Sequence, residues 1–218
     1  MPSSNVTHAL FVPLLAKSER VSDVQSFLGK GYELVQSEPD TIQWFGARYD
    51  DEDTFMIFDT FRGKAGRTAH LTGKIAAALM ENAGALLAAG PEIKEAVVLA
   101  DNITGSLEAG RLGVGLRVLL TAKPEKVQSL RQFLVVRPPL SRARSPSSKR
   151  NSRRSRGMRL SFPAAINSQS STFFADEAGR TAHLNGKVAA ALFANAETLL
   201  ATAPDVKKVS LIAADVKA

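Results

Sequence analysis

The chain has 218 residues, no cysteine, three histidines and a formal charge of +7. That length suits one large domain or two of about 100 residues; without cysteine there are no disulfides or thiolate metal sites, and His8, His70 and His183 make no metal-ligand spacing, so a metal is not expected. The N-terminal MPSSNVTHALFVPLLAK has no basic region ahead of its short apolar run, and no run approaches about 18 apolar residues, so no signal peptide or membrane span is expected and the cytoplasm is the expected location.

In chain order, ALFVPLLAK (9–17) suits a strand, with Pro13 placing part of it at a sheet edge. ERVSDVQSFLGKGYELVQS (19–37) has helical spacing at Val21, Val24 and Leu28. TIQWFGARYD (41–50) and TFMIFDTF (54–61), separated by DED, predict a hairpin. A long helix follows, with Leu71, Ile75, Ala78, Leu79 and Leu86 on one face, and IKEAVVLAD (93–101) closes as a strand. The order is βαββαβ, the ferredoxin-like pattern. Both faces of the hairpin carry bulk: Ile42 and Trp44 are expected on one face, Phe45 and Tyr49 on the other, and Phe55 and Ile57 oppose Met56 and Phe58. Helices cover only one face of such a sheet, so the other needs a second sheet.

Internal repetition supplies it. AGRTAHLTGKIAAAL (65–79) recurs as AGRTAHLNGKVAAAL (178–192), 13 of 15 positions identical at an offset of 113, and AKSERVSDVQSFL (16–28) matches AKPEKVQSLRQFL (122–134) at an offset of 106. Residues 1–101 form a first repeat, 102–115 a glycine-bearing linker, and 116–218 a second repeat interrupted by an irregular basic segment, 135–172. The expected fold class is α+β: two ferredoxin-like repeats packed sheet to sheet as a barrel, a pseudo-dimer within one chain that leaves a further homodimer open.

PDTIQWFGARYDDEDTFMIFDTF leading into AGRTAHLTGKIAAALMENAGALLA resembles the antibiotic biosynthesis monooxygenases, which are dimeric α+β barrels. The resemblance covers nearly all of 8–101 and, in the second repeat, 115–134 and 174–218. It implies oxidation of an aromatic or quinol-like substrate by molecular oxygen without metal or flavin.

The segment 135–172 holds nine Arg and Lys and no acid, so the other 180 residues carry −2 (7 − 9). An Arg/Ser-rich arm for nucleic acid is one reading. Phe162 is its only aromatic, which weighs against that reading, and no nucleic-acid partner is expected. Position 157 precedes Arg180 by the spacing that separates Trp44 from Arg67, so length is kept while character is lost. Kept length with changed chemistry points to an altered reading frame; a one-base shift permits tryptophan at 157, and resequencing the DNA across this window decides it. As written, the segment has no apolar periodicity, so the second sheet is expected to have its central hairpin missing or distorted.

Among candidate site residues, Trp44 could stack on an aromatic substrate or serve as core. His70, early in the long helix, suits general-base work, and Phe45, Phe58 and Phe61 are expected to line a pocket with it. Asp59 either accepts hydrogen bonds from the nearby helix start or acts as an acid. His183 and Arg180 are the second-repeat equivalents of His70 and Arg67, and pairing with a carboxylate suits both arginines. Two functions stay open: a cofactor-independent oxygenase of a small aromatic molecule, and a non-catalytic barrel that binds a small molecule or mediates assembly.

Overall fold

The structure, a computed structural model, describes residues 6–101, 112–135, 156–162 and 167–217. Most of the expected linker and the middle of the basic segment lie outside these residues. The first half runs β1 (His8–Leu15), α1 (Val21–Gln36), β2 (Thr41–Tyr49), β3 (Thr54–Phe61), α2 (Lys64–Leu71), α3 (Lys74–Leu86), β4 (Lys94–Asp101). The second runs β5 (Val114–Thr121), α4 (Val127–Val135), β6 (Arg156–Ser161), β7 (Asn167–Phe174), α5 (Glu177–Leu184), α6 (Lys187–Leu199), β8 (Asp205–Val216).

All eight strands join one closed antiparallel barrel in the order β1-β3-β2-β8-β5-β7-β6-β4. Each half contributes a four-stranded sheet, β4-β1-β3-β2 or β8-β5-β7-β6, and the last strand of each pairs with the second strand of the other. Closure removes the sheet edges. It also buries the two-sided strands as their composition requires. Phe11, Phe45, Tyr49, Met56 and Phe58 fill the barrel interior with Met158, Leu160 and Phe173 from the other half. Trp44, Phe55 and Ile57 face outward under Leu28, Ile75 and Leu79 of α1 and α3. Ile42 corrects the expected alternation: it lies in the interior with Phe45 rather than beside Trp44, because a register shift between Thr41 and Gln43 rotates the start of β2.

The expected long helix is two. It breaks at Thr72–Gly73, where the carbonyls of Ala69 and His70 would lie 3.1 and 3.2 Å from any Cβ added at Gly73 and Glu38 Oε1 only 2.7 Å away. A side chain at Gly73 would crowd these carbonyls and push Glu38 aside, and Gly186 ends α5 against the carbonyls of Ala182 and His183 in the same way.

The second hairpin is present. Its first strand, β6, has six residues against the nine of β2, yet its register is kept: Gly157 stands opposite Thr172 as Trp44 stands opposite Asp59, both at the offset of 113. Two apolar residues suffice, since Met158 and Leu160 alternate into the barrel interior. Polar side chains of β7 are buried beside them, and Gln169 Nε2 donates to Ser171 Oγ at 3.2 Å. The shortening leaves unequal seams: β2 pairs with β8 from Gln43/Val216 to Tyr49/Val209, whereas β4 pairs with β6 only from Val97/Ser161 to Asp101/Met158.

Polar clamps close both ends of the longer seam. At one end Lys217 Nζ donates to the carbonyls of Val35, Glu38 and Thr41 at 2.7–2.9 Å. At the other, buried Arg180 pairs with Asp50 of the first half at 2.9 Å, pairs with Glu177, and donates to the Val209 carbonyl at 3.2 Å. Its first-half equivalent, Arg67, pairs with Glu95, whose carboxylate is half exposed. Arg180→Ala is expected to destabilise the chain by about 1.5–3 kcal/mol, because it removes the charge-assisted hydrogen bonds that tie Asp50 of the first half and the Val209 carbonyl across the seam. Arg67→Ala is expected to cost less, because Glu95 stays hydrated; urea unfolding of the two variants checks the order.

Candidate functional site

The site residues expected from the sequence do not meet in one pocket. Phe45 and Phe58 point into the barrel interior, where Phe45 stacks on Phe173 at 4.3 Å and on Phe58 at 6.0 Å. This corrects their expected place beside His70: residues of alternating parity on a strand face opposite sides. Trp44, Asp59, Phe61 and His70 lie together on the other side, between sheet and helices. The indole of Trp44, 1% exposed, rests against Gly31 and Gly46; a Cβ on Gly46 would stand 2.9 Å from the ring. What remains around it is a void of about 30 Å³. No substrate ring fits there.

His70 is held from both ends. Nδ1 lies 2.6 Å from Glu38 Oε2 and 3.1 Å from the Thr41 hydroxyl, Nε2 lies 3.3 Å from Asp59 Oδ2, and the ring tilts against Phe61 at 5.4 Å. Burial pushes its pKa down, but Asp59 and Glu38 outweigh burial and raise it to about 10. At neutral pH it is an imidazolium between two acids and has no lone pair with which to act as a base. Burial raises the Asp59 pKa, and His70 offsets this only in part. Glu38 is pushed up by burial, but His70, Thr41 and Lys217 hold it below the ordinary glutamate value. Glu38 and Thr41 carry no spacing signal toward His70, because the contact is made across 32 and 29 residues.

The second half places the same elements around different side chains. Gly157 replaces Trp44, Arg159 replaces Gly46 and Thr172 replaces Asp59 at the offset of 113. A cavity of about 220 Å³ opens between the sheet and α6, walled by Leu116, Val118, Leu120 and Leu192, with His183 and Thr172 among its lining residues. His183 is half-buried, tilted against Phe174 at 5.2 Å, and without an acid its pKa is lowered by burial and then by Arg159. It is neutral at pH 7. The signal for this cavity is present in the repeat as glycine where the first copy has tryptophan. A second hollow, about 440 Å³ between α1 and α3, is lined by exposed Asp23, Ser26 and Lys30 and reads as a surface groove. Among the described residues no helix is long and apolar enough to cross a membrane, and no group of His, Asp and Glu is arranged to hold a metal.

A Fusobacterium nucleatum structure described as a "putative monooxygenase" superposes with a TM-score of 0.78 at 9% identity, covering 97% of this chain and 95% of that one. The chain shares that structure's closed α+β barrel fold. A structure described as an "anthrone oxidase-like protein" shares the barrel at a TM-score of 0.61 and 10% identity, over 98% of this chain and 94% of that one. A Nitrosomonas europaea protein of unknown function is 39% identical over 47% of this chain and 99% of its own, with a TM-score of 0.45. No family model and no curated protein matches the chain. Within this barrel fold the two halves differ at the equivalent place, one filled by its own tryptophan and one open.

Proposed function

We propose that this barrel is a cofactor-independent monooxygenase of a small aromatic or quinol-type substrate, working in the second-half cavity. The observation that carries the reading is the cavity itself, apolar-walled, of ligand size and lined by a neutral histidine. In an anthrone-type reaction His183 takes a proton from the acidified ring carbon or phenol; the resulting anion gives its electrons to O2, one oxygen atom enters the substrate as a carbonyl and the other leaves as water. The electrons come from the substrate, so few protein groups are needed. The superposition on monooxygenase-named barrels supports the reaction class, and the apolar walls support an aromatic substrate.

Oxygen uptake with a panel of anthrones and quinols tests this. Wild type is expected to turn over at least one of them, and His183→Ala to lose on the order of 10²–10⁴-fold in rate, the usual worth of a general base. Uptake unchanged in His183→Ala removes His183 as the base and defeats this mechanism, whereas no uptake with any substrate leaves a non-catalytic barrel.

A further inference from the structure

The second-half cavity has a specific shape because its counterpart is occupied. In the first half the indole of Trp44 lies between the sheet and α3, flanked by Gly31, Gly46, Leu28 and Ile75, and about 30 Å³ is left. In the second half the walls recur, with Leu116 for Leu10, Val118 for Val12, Leu184 for Leu71, Val188 for Ile75 and Leu192 for Leu79. The strand register recurs as well. The filling ring is gone, Arg159, Ser170 and Thr172 stand for Gly46, Ile57 and Asp59, and about 220 Å³ is open among the described residues. A dry apolar cavity of roughly 150 Å³ is enough to take up benzene, so this one has room for two fused rings. Its mouth carries positive charge: Arg159 and Lys187 line it beside the neutral His183, and among the described residues no carboxylate does. Val188 and Phe193 stand exposed at the rim, at 39% and 56%. These are the features of an entrance for a flat apolar body with an acidic tail.

We propose that the cavity binds an indole-sized, fused aromatic molecule bearing a negative charge, seated in the volume that the Trp44 indole fills in the first half. This rests on the reading of that cavity as the functional pocket and narrows its ligand class. A ligand there does what the missing side chain would do: it packs on Leu116 and removes the remaining surface of Val118 and Leu192 from water.

Calorimetric titration of the full chain with indole-3-acetate, indole and tryptamine, which share a ring system and differ in charge, tests the proposal. One molecule per chain is expected, with indole-3-acetate about 5-fold tighter than indole, the equivalent of one charge contact near 4 Å in water, and tryptamine weaker than both. The preference should shrink toward 1 M salt. Gly157→Trp combined with Arg159→Gly copies the first-half pair and is expected to lose at least about 10-fold in indole affinity. Val188→Trp at the exposed mouth gives the same readout should the double variant fail to fold. Absence of heat with all three ligands overturns the proposal, as does undiminished indole binding in both variants or tryptamine binding as tightly as indole-3-acetate. Binding without oxygen uptake leaves this inference standing and removes the catalytic reading; oxygen uptake that indole-3-acetate does not inhibit does the reverse. Intact mass of the natural protein must match 23.3 kDa with glycine at 157, and tryptophan found there overturns the inference.

Discussion

His70→Ala is expected to destabilise the chain by about 3–5 kcal/mol, while His183→Ala, at the same position of the same repeated motif, costs less than about 1 kcal/mol. The difference lies in what each leaves behind. Removing His70 strands Asp59, 1% exposed and without another hydrogen-bond partner, in an apolar surrounding where an uncompensated carboxylate is worth several kcal/mol of penalty. Removing His183 uncovers no buried acid, since Thr172 stands where Asp59 would. Urea unfolding of both variants at pH 7 measures the gap, and equal losses would mean that the first-half ion triad adds nothing.

The same triad sets a pH dependence whose sign follows from the direction of the His70 shift. Its folded pKa of about 10 lies above the ordinary 6.5, so its contribution is fully present below pH 6.5, erodes above it and is gone beyond about pH 10. Glu38, held below its ordinary value of 4.5, contributes above that value, and its share is lost as the pH falls through its folded pKa. Asp59, raised by burial, works the opposite way and gives its share on the acid side. The stability gap between wild type and His70→Ala is therefore expected to narrow between pH 6.5 and 10. A gap that stayed flat there would show that His70 is neutral in the folded chain.

Much of the fold was legible because it follows from local periodicity and one global requirement. Strands such as TFMIFDTF, bulky on both faces, cannot sit in a sheet covered on one side, and the repeated GRTAHL segment supplied the second sheet. Phe55 and Ile57 face the helices and Met56 and Phe58 the interior as the period of two predicts, whereas Ile42 departs from it because the bulge between Thr41 and Gln43 leaves no mark in the sequence. The lack of apolar periodicity in 135–172 predicts a missing or distorted second hairpin, and the hairpin is shortened rather than missing. It forms because backbone pairing and two inward residues, Met158 and Leu160, are enough once β5 and β4 offer edges on either side. In the first-half cluster, Trp44, Asp59 and His70 stand out in the sequence but their setting does not. Glu38 comes from the end of α1 and Thr41 from the start of β2, and only the tertiary fold brings either to His70.

Trp44→Gly and Gly157→Trp with Arg159→Gly are expected to move stability in opposite directions. Deleting a buried aromatic costs about 3–5 kcal/mol. The lower end applies to Trp44, because its Nε1 is buried without an acceptor, and that unmade hydrogen bond already subtracts about 1–3 kcal/mol from what the ring contributes. In the second half the hole exists already. At about 24 cal/mol per Å³, a cavity of 220 Å³ sets an upper limit near 5 kcal/mol on what an indole placed there can recover. Arg159→Gly belongs in the variant because Gly46 is what lets the first-half indole lie flat, and an arginine in its place meets the incoming ring. A gain of about 2 kcal/mol would raise the melting temperature by roughly 4–8 °C in a chain of this size, and the Trp44→Gly variant should fall by more than that. If the double variant melted lower than wild type, the two halves would not be equivalent containers, and the identity of the cavity with the Trp44 site would fail on stability before any ligand was added.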